Sequence, residues 1–252
     1  MVQQELETAI AAAREAGDEV ARMRAEGVRF GRKYGRELVS EADLRAAEIL
    51  HSRLTTAFPD AGWLSEEHVD TGERLRHDRV WIVDPIDGTR EYLMGRPEYA
   101  ISVALVGDQE PTLGVVYNPA TEELLAAAVD GSSEMEPEDP PDEFEVLVGH
   151  GEANHNHGLP LPGGGRRKGI GSIAYRLGLV SAGRGHAVVT NYGRSEWDVA
   201  AGAALCFAAG LRVTDVLGQE LQFNQPDPWV RGLLVAGPGL HQRLHTHFTL
   251  LS

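Results

Sequence analysis

The segment Asp84-Pro85-Ile86-Asp87-Gly88-Thr89-Arg90-Glu91 holds the residues best suited to chemistry in this chain. It follows a short apolar run, Val80-Trp81-Ile82-Val83, which reads as a buried strand. Pro85 has no backbone N–H, so the strand is expected to stop at Asp84. Asp87 lies three residues on, and both carboxylates can converge on one point beyond the strand end. The intervening Ile86 carbonyl can face the same point. Hard oxygen donors of this kind suit Mg²⁺. Gly88-Thr89 would then open a helix or turn whose free N–H groups face an anion, with glycine permitting close backbone approach. A plain Asp-Pro, Asp-Gly turn reads the same over so short a stretch. An EF-hand loop does not fit, because oxygen ligands at alternate positions are missing and Pro85 interrupts.

The surrounding elements must therefore bring further groups to that point. Leu6, Ile10, Ala13, Val20 and Met23 share a helical face that ends at Gly27. Ser40, with Asp43 three positions later, forms the pattern of a capping box. Leu44, Ala47, Leu50, Leu54 and Phe58 continue the helix before Pro59. Ala100–Val106, Leu113–Tyr117 and Leu124–Val129 read as strands separated by turn residues, and with Val80–Val83 they predict an antiparallel meander. Residues 131–142 are acidic, proline-rich and aperiodic, as in a linker or exposed loop. Residues 149–165 are irregular as well, and their His150, His155 and His157 lack firm metal-ligand spacing. Ser172–Ala182 and Asp198–Ala209 read as helices, followed by a last helix from Pro238. Ala187–Val189, Leu211–Val216, Glu220–Phe223 and Leu233–Ala236 read as strands. The pattern predicts helices layered on two sheets. It divides the chain into an N-terminal α+β lobe over residues 1–135 and a C-terminal α/β lobe over residues 136–252.

Four ordered elements resemble the inositol monophosphatase superfamily. They are Leu38-Val39-Ser40-Glu41-Ala42-Asp43, Trp63-Leu64-Ser65-Glu66-Glu67, Asp84-Pro85-Ile86-Asp87-Gly88-Thr89 and Glu196-Trp197-Asp198-Val199-Ala200-Ala201-Gly202. Arg90-Glu91-Tyr92 after Thr89 is similar to the CysQ branch, the 3'(2'),5'-bisphosphate nucleotidases. The resemblance implies an αβαβα layered sandwich and a phosphomonoesterase that uses two or three Mg²⁺ ions. It also implies roles for single residues. Glu66, Asp84, the Ile86 carbonyl, Asp87 and Asp198 would hold metal. Asp43 and Thr89 would orient and activate the attacking water, with Glu66 also in the catalytic set. Gly88 and Thr89 N–H groups would cradle phosphate, and the stretch from Ser172 to Arg176 would face the substrate. A homodimer and inhibition by lithium are implied in the same way. Each acid keeps a simpler reading: Asp43 as a helix cap, Glu66-Glu67 as a solvated pair, and Asp198 as a first-turn acid favoured by the helix dipole.

Asn191 stands where inositol monophosphatases usually carry an acid that reads sugar hydroxyls. Tyr192 can stack on a base and Arg194 can meet a second phosphate, although a structural turn with a surface arginine remains open. The leading expectation is removal of the 3'-phosphate of adenosine 3',5'-bisphosphate. The alternatives are an inositol or sugar monophosphatase and, in another class, a non-catalytic metal or phosphate sensor.

The bulk of the chain agrees with a small-molecule enzyme. Its 252 residues carry a formal charge of −15, which disfavours nucleic acid and acidic lipid as partners. Arg166-Arg167-Lys168 is the one basic run, and could steer a polyanion or simply be solvated. Cys206 is the single cysteine, so neither an internal disulfide nor a thiolate cluster is expected, and a reducing cytosol fits. No apolar signal segment is read at residues 1–17, and no 18-residue apolar run predicts a membrane span.

Overall fold

The computed structural model describes residues 2–33, 37–131, 139–153 and 159–251. Helix α1 (Val2–Glu26) leads through β1 (Phe30–Lys33) and β2 (Glu37–Ser40), an antiparallel pair, into α2 (Glu41–Ala57). Next come β3 (Gly62–Ser65), β4 (Arg79–Asp87) and the short α3 (Thr89–Leu93). β5 (Ala100–Gly107), β6 (Glu110–Asn118) and β7 (Glu123–Ala128) complete a five-stranded sheet in the order β3-β4-β5-β6-β7. After β8 (Phe144–Val148) and the single turn α4 (His150–Ala153) come β9 (Gly165–Gly169), α5 (Ile173–Ser181) and β10 (Ala187–Thr190). β11 (Arg194–Ser195), α6 (Glu196–Ala208), β12 (Arg212–Thr214), β13 (Trp229–Val230), β14 (Leu233–Ala236) and α7 (Pro238–Thr249) follow. The second sheet has the order β12-β14-β10-β8-β9.

These elements stack as helix, sheet, helix, sheet, helix. One apolar cluster joins α1 and α2 to the first sheet through Ala13, Val20, Leu50, Trp81, Val103 and Val115. A second fills the space between the sheets, where α5 and α6 lie, through Ile82, Ala104, Leu177, Val199, Ala200 and Val235. A third seats α7 on the second sheet through Val146, Val189, Leu234 and Leu244. Alternate residues of β4 therefore enter different clusters: Trp81 and Val83 on one face, Val80 and Ile82 on the other. A strand covered on both faces reads as a continuous apolar run. α6 lies so close to the first sheet that a Cβ on Gly114 would sit 2.2 Å from the Ala201 carbonyl oxygen.

Several expectations change. β4 continues to Asp87 instead of ending at Asp84. Pro85 is tolerated because the ladder to β5 skips from the Asp84–Ser102 pair to Asp87–Ala100. The meander holds for β4 to β7, but β3 joins it in parallel. Glu220–Phe223 forms no strand, only a single bridge between Glu220 and Thr214. Leu44 faces solvent at 49% exposure, although Ala47, Leu50 and Leu54 are buried. Within the acidic loop, residues 132–138 lie outside the described set, as do His155 and His157. His150 begins α4, with Nε2 3.3 Å from Glu98 Oε2. The basic run forms edge strand β9. There Arg166 and Lys168 pair with Glu143 and Glu145, and Arg167 donates to the Leu159 carbonyl, so the surface reading fits. Among the described residues, no helix is long and apolar enough to cross a membrane.

One buried group in α7 gives a direct pH test of this packing. His241 Nε2 lies 2.8 Å from the Thr214 hydroxyl. Burial, then the nearby Arg212 and His245, lowers its imidazole to about 4. The unfolded chain takes up this proton near pH 6.5, but the folded chain resists until about 4. The stability it contributes is complete above 6.5 and lost as pH falls through 4, with a slope of up to about 1.4 kcal/mol per pH unit. In urea titrations, His241→Gln should flatten the acid limb between these values; an unchanged slope would refute the assignment.

Candidate active site

β3 and β4 run in parallel, so Glu66, just past β3, and Asp84, late in β4, emerge at the same end of the first sheet. Asp198 arrives from the first turn of α6, packed against that sheet. Carboxylate oxygens of Asp84, Asp87 and Asp198 lie within 4.8 Å of one another. Asp84 Oδ1 accepts the Ile86 N–H at 2.9 Å, which folds the chain back so that Asp87 can join the group. Asp87 Oδ2 accepts from the Ser172 hydroxyl at 2.5 Å and from the Ala174 N–H at 2.6 Å, both in the first turn of α5. Asp198 Oδ2 accepts the Ser195 N–H at 3.3 Å in a capping box.

Asp43 performs two tasks with separate oxygens. Its Oδ2 closes the capping box of α2, accepting from the Ser40 N–H at 2.7 Å and the Ser40 hydroxyl at 2.5 Å. Its Oδ1 accepts from Thr89 Oγ1 at 2.8 Å, and the same hydroxyl lies 3.1 Å from the Ile86 carbonyl oxygen. Capping and chemistry are thus compatible. Gly88 precedes α3 at φ 94°, where a side chain is strained, and a Cβ there would stand 3.0 Å from the Glu98 carbonyl oxygen. Gly88 and Thr89 lie where a helix leaves its first N–H groups without intrahelical acceptors.

The inositol monophosphatase family pattern matches residues 1–250. The chain belongs to that family. A 3'(2'),5'-bisphosphate nucleotidase CysQ of Salmonella typhimurium is 31% identical over 87% of this chain and 94% of its own length. An inositol-1-monophosphatase of Mesorhizobium japonicum is 33% identical over 82% of this chain and 80% of its own. The solved structure of an IMPase from Thermotoga maritima superposes with a TM-score of 0.80 at 26% identity, covering 98% of this chain and 97% of the other. The protein is thus a phosphatase of the inositol monophosphatase family with its αβαβα layering.

Electrostatics set the character of this site. Burial is the largest cause raising the carboxyl of Asp84 well above the usual range, and Glu66, Asp87, Asp198 and Asp43 add repulsion. Asp198 is raised well above its usual value by burial and then by Asp87 and Glu66. Asp87 is raised by burial, but the Ser172 and Ala174 donors and the charges of Arg176 and Arg194 oppose the shift. Asp43 is also raised by burial, against its Ser40 and Thr89 hydrogen bonds. Acids crowded in this way need positive charge among them. Their hard oxygen donors fit a divalent cation such as Mg²⁺.

The expected substrate residues divide. Asn191 and Tyr192 are exposed. Arg194 is half-buried, close enough to Asp87 and Asp198 to oppose their protonation. Ser172 and Arg176 are buried, and Ser172 holds Asp87. Cys206 is no nucleophile: it is buried in α6, donates to the Leu177 carbonyl, and burial pushes its thiol up. Sequence reasoning missed Glu152, buried beside Thr190, because a lone glutamate in an irregular stretch carries no periodic signal.

Proposed function

We propose that the protein is a Mg²⁺-dependent phosphomonoesterase that removes the 3'-phosphate of adenosine 3',5'-bisphosphate. Asp84, Asp87, Asp198, Glu66 and the Ile86 carbonyl would hold the ions. When bound, the ions supply Lewis acidity and neutralise the charge on the transferring phosphoryl group. Asp43 and Thr89 orient the attacking water. With its proton donated to Asp43 Oδ1, the Thr89 hydroxyl turns a lone pair outward to accept from water. The buried Asp43 carboxyl, raised in basicity, is a better proton acceptor than a solvated aspartate. The Gly88 and Thr89 N–H groups would meet the phosphate oxygens.

The observation that carries the substrate reading is Arg194, whose Nε is buried without a hydrogen-bond partner and whose charge acts on Asp87 and Asp198, two residues after the exposed Tyr192. A cation acting on the acidic cluster suits a second phosphate better than a polyhydroxylated ring, and an exposed tyrosine two residues away could stack on a base. The CysQ relative agrees with this choice, and the inositol-1-monophosphatase relative agrees with the alternative. The test is phosphate release from adenosine 3',5'-bisphosphate and from inositol 1-phosphate at matched Mg²⁺. The nucleotide should show at least about tenfold higher kcat/KM, a preference of about 1.4 kcal/mol. Preference for inositol phosphate would reverse the assignment, and silence on a broad metabolite panel would favour a sensor.

A further inference from the structure

From Asp87 runs a chain of polar contacts that the chemistry above does not use. Arg176 stands one turn after Ser172 on α5 and is 2% exposed. Its Nε donates to the Ser172 carbonyl oxygen at 3.3 Å, and its Nη1 lies 3.9 Å from Glu152 Oε2. Glu152, 5% exposed, accepts the Gly149 N–H at 3.1 Å on Oε2 and the Thr190 hydroxyl at 2.7 Å on Oε1. Thr190 ends β10 and accepts the Tyr192 N–H on its own hydroxyl oxygen at 3.3 Å. The line therefore runs from Asp87 through Ser172, Arg176, Glu152 and Thr190 to the segment that carries Tyr192 and Arg194.

Stability alone does not account for this pair. A buried ion pair recovers little more than its desolvation cost, and well-packed apolar residues of similar volume do as well or better. The 3.9 Å separation leaves Arg176 Nη1 without a hydrogen-bond partner, which adds to that cost. What the pair does provide is a fixed cation near Asp87 and a rigid hold on the Ser172 backbone. The Ser172 hydroxyl in turn fixes the orientation of the Asp87 carboxylate.

We infer that Arg176 and Glu152 are positioning residues, a buried strut that orients Asp87 for the metal and ties it to the 190–194 segment that faces the substrate. The inference rests on the reading of Asp87 as a Mg²⁺ ligand. Partners of this kind, one step behind a ligand, typically change metal affinity by about 10- to 100-fold when removed.

The test measures Mg²⁺ binding calorimetrically on the full chain without substrate, alongside melting in EDTA. Arg176→Met alone would leave Glu152 buried and uncompensated, so the informative variant is the double Arg176→Met/Glu152→Gln, which removes both charges. It should melt close to wild type in EDTA yet bind Mg²⁺ at least about tenfold more weakly. Glu152→Gln alone keeps the side-chain shape and leaves Arg176 the charges of Asp87 and Glu91 as compensation, so it gives a second reading; it too should weaken Mg²⁺, and lower kcat more than it raises KM. A double variant that binds Mg²⁺ as wild type does would overturn the strut. So would a double variant that fails to fold while Glu152→Gln binds normally. If wild type itself binds no Mg²⁺, the reading of Asp87 falls and the strut with it.

Discussion

Asp84→Asn is expected to lower Mg²⁺-dependent kcat/KM by roughly 10³-fold, about 4 kcal/mol of transition-state stabilisation, while the metal-free protein keeps or gains stability. The two halves of this result have one cause. Asp84 is buried among Glu66, Asp87, Asp198 and Asp43, so its charge is unfavourable unless a cation offsets it. Asparagine keeps the Oδ1 acceptor that the Ile86 N–H uses and so preserves the local turn. It removes one negative donor from the group that would hold the ions. Steady-state kinetics with thermal melts in EDTA separate the effects. Retained turnover would refute the assignment of Asp84 to the metal. Lost turnover accompanied by a collapsed melting temperature would mean that Asp84 is structural.

The same crowding sets the pH dependence of the metal-free protein. The carboxyls of Asp84, Asp87 and Asp198 titrate above their unfolded values in the folded state, chiefly through burial. The folded chain therefore binds more protons than the unfolded chain through the interval between those values. Stability from this source is complete below the unfolded carboxylate range, near pH 4, and is lost as pH rises through the raised folded values. With His241→Gln in place to remove the opposing loss of stability at acid pH, the protein in EDTA should melt lower at pH 8 than at pH 5.5. Magnesium should reverse that trend, since the ions replace the lost protons. At about 100 times the dissociation constant, one bound ion adds about 2.7 kcal/mol. For a chain of this size that shift is on the order of 5–10 °C in Tm. A pH 8 melt indifferent to millimolar Mg²⁺ would contradict the idea that the cluster binds divalent cations.

Local patterns were readable wherever one element settles its own conformation. Ser40 and Asp43 announce a capping box because both partners lie within one turn, and the structure forms it. The apolar runs at 80–83 and 100–106 announce buried strands because α-helices cover both faces of the first sheet. The stretches that form β3, β8 and β9 went unread. β9, Gly-Arg-Arg-Lys-Gly, becomes a strand only because it pairs in parallel with β8 and its cations find Glu143 and Glu145. Pro85 shows the limit of a local rule: it removes a ladder donor, but the bulge between Asp84 and Asp87 leaves nothing there to donate to.

The sequence by itself determined which residue types were on hand: acids in four ordered motifs, a glycine able to turn at positive φ, and a threonine beside it. Their meeting was decided by tertiary structure. Asp198 reaches Asp84 and Asp87 because α6 packs between two sheets, and Glu66 comes near enough to repel Asp84 and Asp198 because β3 runs parallel to β4. Tertiary structure also buried Arg176 against Glu152, far away in the chain, where one element alone offers no sign of which side faces inward. Spacing along a chain specifies neighbours within a turn or a strand. Distances between elements depend on how apolar faces stack, and that is a property of the whole packed chain.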